Sequence, residues 1–596
     1  MSTALTVDQA LEQAAARWNT GGEDDRRVAR QLVRQVLRVA PDHAGALNLA
    51  GCAAFEDGDA GVALALFEKA AARAPGDVAV QGNLARSEFT VGRIEPARRR
   101  ADYLATLAPQ ARAMRDEFES NLAAVQRPSA LAATFFEADP ARLRQDVDQL
   151  LQADALPRSL LQQPKVLVVP HAGHIYSGAM AGRAYARAQP FAGGIRRVLL
   201  LGPAHRVYVK GIALPGVGAY ASPLGAVPID TLGADALADL PFVSTRPDVH
   251  GPEHSLEVHL PFLQRVLGSG FELLPLVVGD AAPEEVAQVL ERLWGGPETL
   301  IVISTDLSHY HPYEEANALD AASCAQVMAL DATLSHAQAC GATPLNALLR
   351  QARLRGLRIE QIGRCNSGDT AGNHPEGRAR VVGYASFALY EPEDRRAGTG
   401  QGASPAAQGP LTPEQGLALV QLARAALHEA TGAPREPSPG TKSFQAPGAA
   451  FVTLTRQGEL RGCIGSLQAG RALADDVRAN AAAAALHDPR FAPVTAEEAP
   501  GLAVEVSVLG EPRPLAFANE SHALWQLRPG LDGVILACEH QGRAHRSTYL
   551  PQVWEQIPGP RAFLAHLKVK AGLPFDFWSP ALRLSVYPVQ KFCEGD

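Results

Sequence analysis

Lys165-Val-Leu-Val-Val-Pro-His171, Val198-Leu-Leu-Leu-Gly-Pro-Ala-His205 and Leu300-Ile-Val-Ile-Ser-Thr-Asp-Leu-Ser-His309 are apolar runs that each end in a histidine. Each reads as a buried parallel strand, continuous in Val, Ile and Leu because both of its faces are covered. Ligands of open α/β sheets bind outside the carboxyl ends of such strands. Imidazoles delivered to one rim make a metal or proton-transfer site the leading expectation.

Around these runs the 596-residue chain is too long for one core, and three or four domains are expected. Hydrophobic content of 46% and charged content of 20% fit an ordinary globular protein. A net charge of −8 gives no general affinity for nucleic acid or anionic membrane, so neither is expected as a partner. The start, Met1-Ser-Thr-Ala-Leu-Thr-Val-Asp8, has neither a basic n-region nor an apolar h-region. The seven cysteines form no Cys-x-x-Cys pair, and reduced thiols in the cytoplasm are expected.

Four regions follow. Residues 1–125 read as all-helical, with Pro41, Pro75 and Pro109 spaced 34 apart. Gly51, Ala63, Phe67 and Ala70, then Ala85, Ala97 and Ala101, fall where a tetratricopeptide repeat packs small and aromatic residues. The reading is a degenerate array of that kind with a surface for a protein partner; the alternative is a plain stack of helical hairpins. Residues 130–390 alternate strands with helices as in a doubly wound α/β sheet. Asp139 caps a helix with Pro140 in its first position, and Arg380 to Leu389 is the last strand, near an edge. Residues 391–410, rich in Gly, Ala, Pro and Gln, read as a linker. Residues 411–596 mix helices (411–431, 472–486) with alternating strands such as 503–509, an α+β pattern.

Ten of the seventeen histidines lie between 171 and 374. They concentrate in Pro170-His171-Ala-Gly-His174, Gly202-Pro-Ala-His205, Glu253-His254-Ser-Leu-Glu257-Val-His259 and Ser304-Thr-Asp306-Leu-Ser308-His309-Tyr310. Together these blocks resemble the Memo family, whose fold is similar to class III extradiol dioxygenases, over about residues 134–390. The resemblance implies that His171, His205 and Cys340 are metal ligands and that His309 is the acid/base. His174, His254, His259 and Asp306 would line the pocket. Iron or copper is the implied ion, ahead of zinc, and imidazoles suit all three. The extradiol enzymes have a carboxylate where this chain has Cys340, and His174 replaces a tyrosine common in the family.

Read from the residues themselves, Cys340 precedes a helix for which Thr343 is the expected N-cap and Pro344 the first residue. A thiol there, beside a cation, is pushed towards thiolate. His254 and His259 are expected on a helix, at i and i+5, without a shared face. Glu253 and Glu257 are expected to be solvated. Ser308 beside His309 lacks the Gly-x-Ser-x-Gly elbow of a serine nucleophile, and no glycine-rich phosphate loop is present.

Further on, Leu460-Arg461-Gly-Cys463-Ile-Gly-Ser-Leu467, His487-Asp-Pro-Arg490-Phe491 and Tyr549-Leu-Pro-Gln-Val-Trp554 resemble the AMMECR1 family over roughly 411–593. Gly462 and Gly465 are expected to take positive φ in a tight loop. Cys463, Arg461, His487 and Arg490 would form a pocket on it, with Cys463 and Arg461 catalytic if the thiol is activated. Modules of both families accompany a radical SAM protein in bacterial gene clusters, the AmmeMemoRadiSam system. This chain has no Cys-x-x-x-Cys-x-x-Cys motif, so the resemblance implies a separate radical SAM partner.

Three functions remain open at this point. The first is metal-dependent redox or dioxygenase-like chemistry on a small molecule or peptide. The second is a non-catalytic metal-binding scaffold. The third is a Cys463-centred hydrolase or transferase.

Overall fold

The computed structural model describes residues 6–594 except 92, 153–161, 372, 393–410, 436 and 438. Nearly all of the expected linker therefore lies outside the described residues. The chain is multidomain, with helices first, then an α/β region, then an α+β region.

The first region is helical throughout, from Val7–Thr20 to Pro109–Ala124. Two helix pairs recur with the expected spacing. Ala44–Glu56 and Ala60–Arg73 are followed 34 residues later by Val78–Thr90 and Ile94–Leu107. Helix starts are set by side-chain caps: Asp59 accepts from the Val62 N–H, and Asp77 from those of Ala79 and Val80. Gly51 is glycine because a Cβ there would meet the Phe67 ring at 2.6 Å, so Phe67 packs directly against the backbone of the opposing helix.

The second region holds a nine-stranded sheet whose four central strands are parallel. In spatial order these are Val166–Val169, Thr299–Ser304, Arg197–Pro203 and Glu272–Val278. Alternation along the strands splits the core in two. Leu167, Val169, Val198, Leu200, Leu300 and Val302 face one layer of helices, and Val166, Val168, Leu199, Leu201, Ile301 and Ile303 face the other. The unbroken apolar runs follow from this burial on both sides. The last strand, Val381–Tyr390, pairs antiparallel with Val166–Val169 and is flanked outside by Arg358–Asn366 and His309–His311, one place in from the edge. Asp139 caps the Pro140–Gln152 helix through the Ala141 and Arg142 N–H groups.

The third region contains two antiparallel sheets. One joins Glu459–Gly465, Pro447–Arg456, Ala503–Leu509 and Val589–Cys593 and is covered by the helices Pro413–Thr431 and Leu473–Leu486. The other joins Arg513–Leu515, Arg583–Tyr587, Gly533–His540 and Arg543–Tyr549. The lobe around this second sheet grips the rest of the chain. Trp525, on the Glu520–Gln526 helix, is 2% exposed and belongs to the core of the α/β region. Its Nε1–H donates to Asp230 Oδ2 at 2.7 Å, and its carbonyl accepts from Arg197 Nη1 at 2.6 Å. Glu520 pairs with Arg99 of the helical region and with Lys568. Tyr103 stacks on Phe575 at 4.7 Å. Trp525→Ala is expected to cost about 3–5 kcal/mol of stability. Chemical denaturation should show this as a lower midpoint or as separate unfolding of the C-terminal region.

Candidate metal centre

Parallel register brings the strand ends to one rim. Val169 pairs with Ser304, and Leu201 with Ile303. The chain then turns, delivering His171 after the first strand and His205 after the third, with Asp306 between them in space. A loop that follows the Pro247–His250 helix brings in His254. One ring nitrogen each from His171, His205 and His254 lies within 4.8 Å of the others. Ring centroids are 5.1 Å apart for His171–His205, 5.5 Å for His171–His254 and 4.5 Å for His205–His254.

Hydrogen bonding on the far side fixes which nitrogens face inward. Ser304 Oγ donates to the Ser255 carbonyl at 2.6 Å, so it accepts from His171 Nδ1–H, also at 2.6 Å. His205 Nδ1–H donates to Glu253 Oε1 at 3.0 Å. Both rings therefore carry their proton on Nδ1 and turn an unprotonated Nε2 inward, that of His171 towards the Cys340 thiol. His254 Nδ1 stands 3.2 Å from the same Glu253 oxygen, off the line of a hydrogen bond. Glu253 also accepts the His205 N–H at 2.6 Å and the His254 and Ser255 N–H groups at 2.9 and 3.0 Å. Burial pushes the Glu253 carboxyl up, but these contacts outweigh it and hold the group far below the usual carboxylate range.

The acidic pair here corrects the expectation of solvated carboxylates. Glu253 is 2% exposed and Glu257 is wholly buried. Glu257 pairs with Arg127 at 2.6 Å and accepts from Ser129 Oγ and the Ala130 and Leu131 N–H groups. Arg127 also donates to the carbonyls of His250, Gly251 and Glu253. The local backbone is corrected as well. His254 lies in a loop, and His259 in the 3-10 turn Glu257–His259, so the two do not share a helix.

Cys340 Sγ lies 3.5 Å from His171 Nε2 and accepts the Asp306 N–H at 3.3 Å. It stands beside the three imidazoles, outside the mutual distance that joins them. Its helix begins earlier than expected, at Ala342 with Gly341 as cap, and Thr343 bonds His336 instead of capping. A Cβ at Gly341 would meet the Ser304 carbonyl at 2.7 Å, and this close approach seats the turn on the rim. Burial, then the Asp306 charge, pushes the Cys340 thiol up to about 12, so the helix start alone does not make it a thiolate. Asp306 holds the His171 N–H at 2.8 Å, and burial pushes its own carboxyl up.

The remaining pocket residues take other places. His309 Nδ1 faces the Leu307 carbonyl at 2.8 Å, and the imidazole acts electrostatically on Asp306. Its neighbour Tyr310 sits at φ 64°. His174 Nε2 meets the Val258 carbonyl at 3.2 Å, with its ring between Phe136 and Phe262. His259 is wholly buried.

In the C-terminal region, the expected loop is instead an edge strand, Glu459–Gly465, and neither glycine has a positive φ. Both serve close packing: a Cβ would meet the Ala484 carbonyl at 2.2 Å from Gly462 and the Phe451 ring at 2.2 Å from Gly465. Arg461 forms a two-pronged pair with Glu498, and Arg490 one with Asp488. Asp488 also accepts the Cys463 N–H at 2.8 Å, and Arg490 reaches the Cys463 carbonyl at 3.3 Å. The backbone N–H of His487 closes the preceding helix on Ala483. Burial pushes the Cys463 thiol up, although Thr453 Oγ1 donates to its sulfur at 3.3 Å. The activation required of a nucleophile is therefore opposed by its surroundings.

The family model described as Memo-like protein matches residues 127–388, and that described as AMMECR1 matches residues 420–592. A MEMO1 family protein of Sulfolobus acidocaldarius is 30% identical over 284 residues, which are 44% of this chain and 98% of that protein. One of Aquifex aeolicus is 34% identical over 271 residues, 43% of this chain and 97% of that protein. The crystal structure of an uncharacterized protein from Pyrococcus horikoshii shares 31% identity, covers 31% of this chain and 94% of that one, and superposes with a TM-score of 0.28.

Two measurements check the electrostatics. Burial holds His174 and His250 down to about 4 and His259 to about 3, against an ordinary 6.5. The unfolded chain thus binds protons that the folded chain refuses. The stability these residues contribute is whole above about pH 6.5 and is lost as pH falls towards about 3. The urea midpoint is expected to drop across that window and to stay level just above it. Iodoacetamide is expected to alkylate Cys463 more slowly than a model thiol, measured by peptide mass mapping against time.

Proposed function

The chain belongs to the MEMO1 family, and from that premise we propose that His171, His205 and His254 hold one transition-metal ion for redox or oxygen chemistry on a small molecule or peptide. The observation that carries this reading is the fixed tautomer of two imidazoles. Ser304 and Glu253 hold the Nδ1 protons of His171 and His205, so each Nε2 is unprotonated and able to bind an ion. A set of imidazoles suits iron, copper or zinc. Cys340 Sγ, 3.5 Å from His171 Nε2, is placed to add a soft fourth donor once a cation favours its thiolate. That donor favours iron or copper in this reading.

A bound ion would supply Lewis-acid chemistry and, for iron or copper, one-electron chemistry. The chain's own residues do the rest. Glu253 orients His205 and steadies the loop of His254. Asp306 fixes the His171 backbone, and its buried carboxyl stands ready to hold a proton. His309, with Nδ1 towards a carbonyl, keeps Nε2 available for proton movement. In this reading the helical region docks a separate protein partner, a radical SAM protein, and the AMMECR1 domain shares its pathway. A non-catalytic metal scaffold is the second reading, favoured by how fully His171 and Asp306 are buried.

Chain purified without tag or chelator is expected to carry about one transition-metal ion, a number set by one cluster of ligands. His171→Ala should abolish binding. Glu253→Gln should weaken it by roughly 10–100-fold, the usual effect of losing an outer carboxylate. Absence of metal at any loading condition sinks the proposal. Bound metal without O₂ consumption, across catechols and thiols, selects the scaffold.

A further inference from the structure

Behind the three imidazoles, the seam between the His174–Ala186 helix and the segment 258–262 buries polar atoms that the protein does not satisfy. Tyr185 and His259 are both wholly buried. The Tyr185 hydroxyl has no hydrogen-bond partner among the described residues, and neither has either ring nitrogen of His259. The Ser255 carbonyl faces the His259 ring without closing a hydrogen bond. His174 Nδ1 is a further unpartnered buried atom.

Tyr185 stands at the centre of the seam. Phe262 stacks on Tyr185 at 5.4 Å and lies 4.8 Å from His174, while the rings of Tyr185 and His259 are 6.0 Å apart. His174 and Tyr185 are eleven residues apart on their helix, so they share a face but stand about 16 Å apart along its axis, with Phe262 between them. The surroundings are otherwise apolar, including Val169, Ala181, Val258 and Leu263. A lone unsatisfied hydroxyl in such a place is costly, and several together are unsustainable. Buried polar atoms in this position are normally bridged by internal water.

We propose that the seam is a binding site for internal water, held by Tyr185 Oη and the two ring nitrogens of His259. The ligand must be small, neutral and able both to donate and to accept, because Tyr185 can donate while a neutral His259 presents one donor and one acceptor. Exclusion of both wholly buried residues from the surface rules out larger molecules. This water would brace the segment that carries Glu253 and His254. Arg127 holds that segment at its start and the bridging water holds it at His259. The inference does not depend on a metal, so its failure is separate from failure of the reading above.

A high-resolution crystal structure of the full chain is expected to show ordered density within hydrogen-bonding distance of Tyr185 Oη and the His259 ring. An empty or protein-filled seam overturns the proposal. Tyr185→Phe removes one oxygen and nothing else. If water is held there, the variant melts lower, by roughly 2–4 °C. If the hydroxyl is dry, its removal relieves a buried unsatisfied group and the variant melts at the same temperature or higher, which also overturns the proposal.

Discussion

The buried carboxylate of Glu253 is the contact on which the geometry of the centre depends. It accepts from His205 through both side chain and backbone, touches His254, and ties the Ser255 N–H into the same knot. Burying such a charge is costly unless it is well paired and hydrogen bonded. Here the cost is met by donors that are themselves the candidate ligands. The same contacts that keep Glu253 ionised keep two imidazoles in place. Arg127 extends the network, since it binds the Glu253 carbonyl and neutralises Glu257 a turn further on. The loop that carries His254 is thus fixed from the segment that joins the helical region to the sheet.

The strands were legible because their cause is local. A strand covered on both faces must be apolar through its interior, and Val166–Val169, Arg197–Pro203 and Thr299–Ser304 show it, with polar residues only at their ends. Their carboxyl-end histidines were legible for the same reason, because the rim follows from parallel pairing. His254 was harder. It arrives on an irregular loop whose spacing reads as a helix, and contact with Arg127, distant in sequence, sets its path. Glu253 and Glu257 read as solvated because acidic residues usually are, and nothing adjacent announces the buried arginine.

The glycines of the Leu460–Leu467 block show a different ambiguity. A glycine is required either by positive φ or by lack of room for a Cβ, and sequence does not separate the two. At Gly462 and Gly465 the second cause operates, so the segment is a strand pressed against a helix and a ring. Cys340 combines both problems. Its position beside His171 was anticipated, but the start of its helix moved because Gly341 packs directly on the rim.

Trp525 inserts where the sheet strands begin, beside Arg197, whereas the imidazoles gather where those strands end. Seven residues of extended chain separate the two, about 20 Å of solid protein. The His205 side chain keeps 26% of its surface exposed at the far end. A substitution at that anchoring contact can therefore loosen the lobe without touching any of the three imidazoles.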